Sequence, residues 1–182
     1  MEVLKVLYSN LLNRKEFECP AYENEIVSAR FNIVQELFEL EIGHPFKYAH
    51  RLNHKVLHPN AIERVNVELA CRFYSESTES ALVHFSEEFG KDWLSTSRFI
   101  RLVRQFFNTV NNKSLFKAVQ KRDASRKPVT KENRSQLNFL AAFLSWVQQW
   151  QAKQWKKVEE DPSSKLDKIQ RHDTRRNQRN GK

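Results

Sequence analysis

Apolar residues recur at spacings of three and four along most of this 182-residue chain, and only Gly43, Gly90 and Gly181 supply glycine. A helix of 3.6 residues per turn places such positions on one face, whereas tight β-hairpins call for Gly/Asn turn dipeptides that are missing outside the extreme C-terminus. The reading is an all-α fold, an irregular helical bundle of about five to six helices with a disordered basic C-terminal tail. The length suits one domain, and 40% hydrophobic residues suffice for one core.

Leu4, Leu7, Leu11 and Leu12 predict a first amphipathic helix over residues 2–13, with Pro20 closing the connector behind it. A second helix starts after Ser28, carries Phe31, Val34, Leu37 and Phe38, and stops at Gly43 followed by Pro45. The segment from Pro45 to Pro59, with FKYAHRLNHKVLHP, reads as a basic, histidine-rich connector. Asn60 followed by Glu63 resembles a capping box, and Ile62, Val65, Leu69 and Phe73 run on from it. That register continues through Ser77, Ala81, Phe85 and Phe89 to Gly90, as one long helix or as two with a break at the weak helix formers SESTES. A further helix begins near Ser95–Ser97 and buries Phe99, Ile100, Val103, Phe106, Phe107 and Val110 before Asn111 and Asn112. After the charged linker KAVQKRDASRKPVTKEN, a last helix starts near Thr130. Its Leu137, Leu140, Phe143, Leu144, Val147 and Trp150 form a stripe wide enough for burial on more than one side.

The net charge of +9 is unevenly placed: Lys165 to Lys182 holds seven Lys/Arg against two Asp/Glu, +5 of the total. This tail has almost no apolar residues to offset the entropy of ordering. It reads as a solubilising segment, a nuclear signal or a phosphate-backbone contact, with Arg171, Arg175, Arg176 and Arg179 the contact residues in the last case. Cys19 and Cys71 lie in unlike contexts with no metal-ligand spacing and read as free thiols of a reducing compartment, cytosol or nucleus. No stretch is long and apolar enough to span a bilayer, and the charged start does not read as a signal peptide.

His50, His54 and His58 recur every fourth residue, which would align metal ligands on a helix face, but no Cys or acid joins them at short range, and solvated histidines on a basic connector are the simpler reading. A GxSxG elbow, a paired nucleophile, a Walker loop and a GxGxxG loop are all missing from the sequence, so the chain reads as a non-enzyme, and any nucleotide site must be of another kind. In SWVQQWQAKQWKK the tryptophans stand near lysines, an arrangement suited to base stacking; Trp146 and Trp150 nevertheless fall in register with the core stripe, leaving Trp155 as the surface exception.

Two segments carry a known pattern: HRLNHKVLHPNAIERVNVELACRFYSESTESAL, and then FIRLVRQFFNTVNNKSLF. They resemble the helical GTP-binding insertion of P-element-type transposases and their THAP-domain relatives, in which a K/R-L pair, an H/N-P-N turn, an M/V-x-V-x-L-A core and an S-x-S step follow in this order. The resemblance runs over roughly residues 3–150 in the helical periodicity described above. It implies residues 1–43 as helices leading into the insertion, 44–157 as the insertion-like unit and 158–182 as the tail. In that family the insertion interrupts an RNase H-like catalytic domain, and none of this chain's acids matches a catalytic position. The resemblance therefore implies a truncated fragment or domesticated derivative that lacks most of that domain and is catalytically inert, with a nuclear location, meeting DNA through its tail and other transposase subunits or a host protein as partners.

Carried over residue by residue, the pattern implies a nucleotide site. Arg51 would meet phosphate oxygens, Ser75 would supply a hydroxyl, the backbone of Asn66 and Val67 would approach the nucleotide, and Phe107 would stack on the purine. Asn108 stands where the family tends to place an Asp that accepts both N–H groups of the guanine edge, and Glu68 stands where Lys is common. Both departures imply weakened GTP binding, with magnesium entering only alongside the nucleotide. The competing reading is a helical protein-interaction module whose pocket has collapsed into core.

Overall fold

The computed structural model describes residues 2–89, 92–111, 115–122, 126–131 and 134–160. The fold is helical, as the periodicity predicts, with α1 (Glu2–Arg14), α2 (Phe31–Ile42), α3 (His54–Leu57), α4 (Val67–Phe73), α5 (Glu76–His84), α6 (Asp92–Asn111), α7 (Leu115–Lys121) and α8 (Arg134–Glu160). The elements outnumber the five to six anticipated for three reasons. The histidine-rich connector winds one turn as α3, capped by the Asn53 side chain accepting from the Val56 N–H. The long run after Asn60 divides into a 3₁₀ turn (Glu63–Val65), α4 and α5, and the charged linker contributes α7.

A small antiparallel sheet joins α1 to α2, which the helical reading did not anticipate. β1 (Glu16–Glu18) pairs with β2 (Ser28–Arg30) in the register Glu16↔Arg30, Phe17↔Ala29 and Glu18↔Ser28. Phe17 and Ala29 point inward while Glu16 and Arg30 form an ion pair outside at 2.9 Å, so the pair obeys period-two alternation over only three residues, too short to show above the helical pattern. Lys15, in the left-handed region at φ 66°, ends α1, a task usually given to glycine. Gly43, in contrast, ends α2 at φ −82° with nothing within 4 Å of an added Cβ. Its lack of a side chain is not what stops the helix, and Pro45, which disfavours a helical residue before it, is the better reason.

The break between α4 and α5 falls at Tyr74–Ser75, at the first residue of the run SESTES, as the second of the two readings has it. Ser75 is extended and its Oγ accepts from the Thr78 N–H at 3.3 Å, the N-cap arrangement that short polar side chains favour. Asn66 caps α4 in the same way through the Glu68 N–H at 2.8 Å. The Asn60/Glu63 capping box also forms: Asn60 Oδ1 accepts from the Glu63 N–H and Glu63 Oε2 from the Asn60 N–H. It caps only the 3₁₀ turn, which is why Ile62 and Val65 stay exposed instead of heading a buried stripe.

The core centres on aromatic rings. Phe73 at the end of α4 is fully buried, stacks on Phe31 with ring centroids 6.1 Å apart, and meets Tyr8 and Tyr74 at 5.7 and 5.0 Å. Tyr8 donates its hydroxyl to the Val56 carbonyl, tying α1 to α3. Burial pushes the Tyr8 and Tyr74 hydroxyls well above the ordinary tyrosine range, so both remain protonated, although the Tyr74 hydroxyl has no partner among the described residues. Beneath the last turn of α2, buried Glu41 accepts from the Ala49 N–H at 2.8 Å and fixes where the connector leaves the helix. These contacts bring residues on both sides of position 43 into one core.

The last helix begins at Arg134, four residues later than the sequence suggests. It packs through Phe143, which stacks on Phe106 at 4.3 Å, and through Trp146 and Trp150. Trp146 is buried and donates Nε1–H to the Pro20 carbonyl at 2.9 Å, so it serves packing, as its register indicated. The stripe is narrower than read: Leu137 and Leu144 are exposed, as is Val110 on α6. The side chain of Trp155, and the tail with Arg171, Arg175, Arg176 and Arg179, lie outside the described residues.

Candidate functional site

A cavity of about 620 Å³ opens between the start of α1, the segment before α3, the α4–α5 junction and α6. That volume lies in the range of small-molecule and cofactor pockets. Four of the six residues assigned by pattern, Arg51, Ser75, Phe107 and Asn108, line it together although they are spread over more than fifty positions of sequence. Asn66 and Val67 do not appear among its lining residues; they form the capped start of α4, where Asn66 spends its side chain on the Glu68 N–H. Glu68 is also outside the lining, on the exposed face of α4 in an ion pair with Arg72, so its charge is partly neutralised away from the cavity.

Each lining element is held for a local reason. Ser75 is buried because it caps α5, and its hydroxyl also lies 2.8 Å from Ser77 Oγ and 3.0 Å from Thr78 Oγ1. Ser75, Glu76 and Ser77 together turn the N-terminus of α5 toward the cavity, where unsatisfied N–H groups and the helix dipole favour negative charge. On α6, Phe107 is half-buried against the core and Asn108 is 4% exposed. Arg51, before α3, lines the same cavity.

Sequence reasoning missed two cations here. Arg104 lies one turn before Phe107 and Asn108 on α6 and lines the same cavity, so the spacing 104, 107, 108 was an available signal. Its terminal nitrogen donates to Glu79 Oε2 at 2.7 Å, while its buried Nε has no protein partner among the described residues. Glu79 also accepts from Arg101 Nε at 2.5 Å, so one mostly buried carboxylate of α5 holds two guanidinium groups of α6. Arg126 joins the lining from the charged linker, where nothing in the sequence set it apart from its basic neighbours.

The site is electropositive. Among the described lining residues, Arg51, Arg126 and Arg104, the last paired with Glu79, outnumber one carboxylate, that of Glu76, with His50 and Tyr48 beside them. Burial pushes the Cys71 thiol above its ordinary value, with Arg51 opposing the shift, so Cys71 contributes a neutral wall at neutral pH. An aromatic face, an amide, a helix N-terminus and three guanidinium groups around one space suit an anionic ligand with a flat apolar part. Among the described residues no group of three or more His, Cys, Asp or Glu is arranged to hold a metal ion: His54 and His58 pack ring against ring at 4.7 Å, and His50 lies on the cavity wall. No described helix is long and apolar enough to cross a membrane.

Fold and cavity together define a helical domain built around a basic pocket. The family model described as TNP-like, GTP-binding insertion domain matches residues 3–123, well over half of the chain, and the protein belongs to that family of P-element-type transposase insertions. The match begins in α1 and ends just beyond α7, so α8 lies outside it. No curated protein and no solved structure matches the chain.

Proposed function

We propose that this domain holds a nucleoside triphosphate in the basic cavity and acts by binding it, without cleaving it. The observation that carries this reading is the convergence of Arg51, Arg104 and Phe107 on one cavity at the N-terminus of α5. The phosphates lie toward the guanidinium groups and the α5 N–H groups, and the base stacks on Phe107. Magnesium enters with the triphosphate. GTP binds weakly, because Asn108 presents an N–H where the guanine edge needs a second acceptor; a mismatch of that kind in a desolvated site costs on the order of 1–3 kcal/mol.

A thermal-shift titration of the full chain with millimolar GTP, ATP and magnesium tests this, since a ligand of the native state raises stability by RT ln(1 + [L]/Kd). A saturable rise in Tm is expected, and Arg51→Ala should weaken binding roughly tenfold by removing a charge-assisted contact. No shift with any nucleotide would leave the competing reading, a helical module that docks another transposase subunit or a host protein, which the exposed Phe116 and Val119 of α7 support.

We also propose that the basic tail contacts DNA phosphates in the nucleus, a reading supported by its charge of +5 over residues 165–182. Affinity for a DNA duplex measured against salt should show a steeper slope for the full chain than for one ending at Ser164. Identical slopes would remove the tail from DNA binding.

A further inference from the structure

We infer that Arg101, on α6, sets how firmly the cavity holds phosphate: it occupies one oxygen of Glu79 and so leaves Arg104 free to turn to a ligand. The inference rests on the nucleotide reading above and deepens it, from what is bound to what keeps the site receptive. Arg101 and Arg104 lie three apart on α6, so both reach the side that packs on α5. There they share one carboxylate, Glu79 Oε1 accepting from Arg101 Nε at 2.5 Å and Oε2 from Arg104 at 2.7 Å. Arg104 lines the cavity, whereas Arg101 is not among its described lining residues and has a side chain 57% exposed.

A carboxylate and a guanidinium left to themselves pair two oxygens with two nitrogens, which fixes the guanidinium and cancels its charge. Arg101 prevents that closed pair. With Oε1 taken, Glu79 holds Arg104 by a single hydrogen bond, and Arg104 keeps its other donors, including a buried Nε with no partner among the described residues. The trio also carries one net positive charge, two guanidinium groups against one carboxylate, where Glu79 and Arg104 alone would carry none. An incoming phosphate therefore meets a cation that is positioned but not neutralised. Glu79 anchors Arg104, and Arg101 keeps the anchor from becoming a competitor of the ligand.

The test is isothermal titration calorimetry of the full chain at fixed ionic strength, with GTP and with inorganic triphosphate, each with magnesium. Arg101→Gln is expected to weaken both roughly fivefold to tenfold, the scale of one charge-assisted hydrogen bond redirected from ligand to protein. Arg101→Lys, which keeps the charge and a donor for Oε1, should restore most of the affinity. Arg98→Gln removes the same charge one turn away on α6, where the partner is Glu25, and should change affinity by less than about twofold because solvent screens it. In a Glu79→Gln background the effect of Arg101→Gln should vanish, since the residue through which it acts is gone. The single variants decide the matter even where Glu79→Gln fails to fold. If Arg101→Gln leaves both affinities unchanged, or matches Arg98→Gln, Arg101 has no such role and the nucleotide reading still stands. If neither GTP nor inorganic triphosphate binds the wild-type chain, the nucleotide reading falls and this inference with it.

Discussion

Replacing Phe73 with alanine is expected to lower the unfolding free energy by about 3–5 kcal/mol, the range for a large aromatic removed from a core that cannot collapse around the gap. The magnitude follows from position. Phe73 is fully buried and its ring meets Tyr8 of α1, Phe31 of α2 and neighbouring Tyr74, so no single element can shift to fill the void without disturbing the others. Urea denaturation followed by circular dichroism measures the change directly. Phe73→Leu, which keeps most of the volume, should retain the larger part of the stability; a loss below about 1 kcal/mol for the alanine variant would mean the rings are not coupled as described.

Glu79→Ala is expected to cost about 2–4 kcal/mol, because it strands guanidinium groups that one carboxylate now holds. The side chain of Glu79 is 10% exposed, that of Arg104 20% and that of Arg101 57%, so the greater part of the loss comes from Arg104, with Arg101 screened by solvent. The same substitution frees Arg104 from α5 and should alter triphosphate affinity even in buffers where the domain stays folded. Urea midpoints for Glu79→Ala and Arg101→Ala separate the contributions: if the two losses are equal, the exposed member matters as much as the cavity-lining one and this account of the cluster is wrong.

Much of this was legible in the residues. Spacings of three and four placed α1, α2, α6 and α8 within a few positions, because each long helix buries one continuous face and that periodicity survives in the sequence. The family pattern brought four separated residues to one cavity. Three-residue strands and one-turn helices were not legible, since they are too short to establish a period and form because neighbours hold them: Phe17 meets Phe99 and Trp150, and α3 is tied down by Tyr8. Ile62, Val65, Val110, Leu137 and Leu144 kept the helical register yet remain exposed, because periodicity identifies a face without telling whether another element arrives to cover it. Asn66 and Val67, assigned through their backbone, lie at the capped start of α4 and not among the described lining residues of the cavity.

The described walls of the cavity come from five stretches distant along the chain: Leu4, the segment at Tyr48–Arg51, the α4–α5 junction, one face of α6 and Arg126 of the charged linker. Nothing local can therefore assemble it, and no local loosening can be confined to it. A molecule lodged there works as a clasp, strapping the first helix to the middle of the chain, so occupancy and the integrity of the whole domain rise and fall as one quantity.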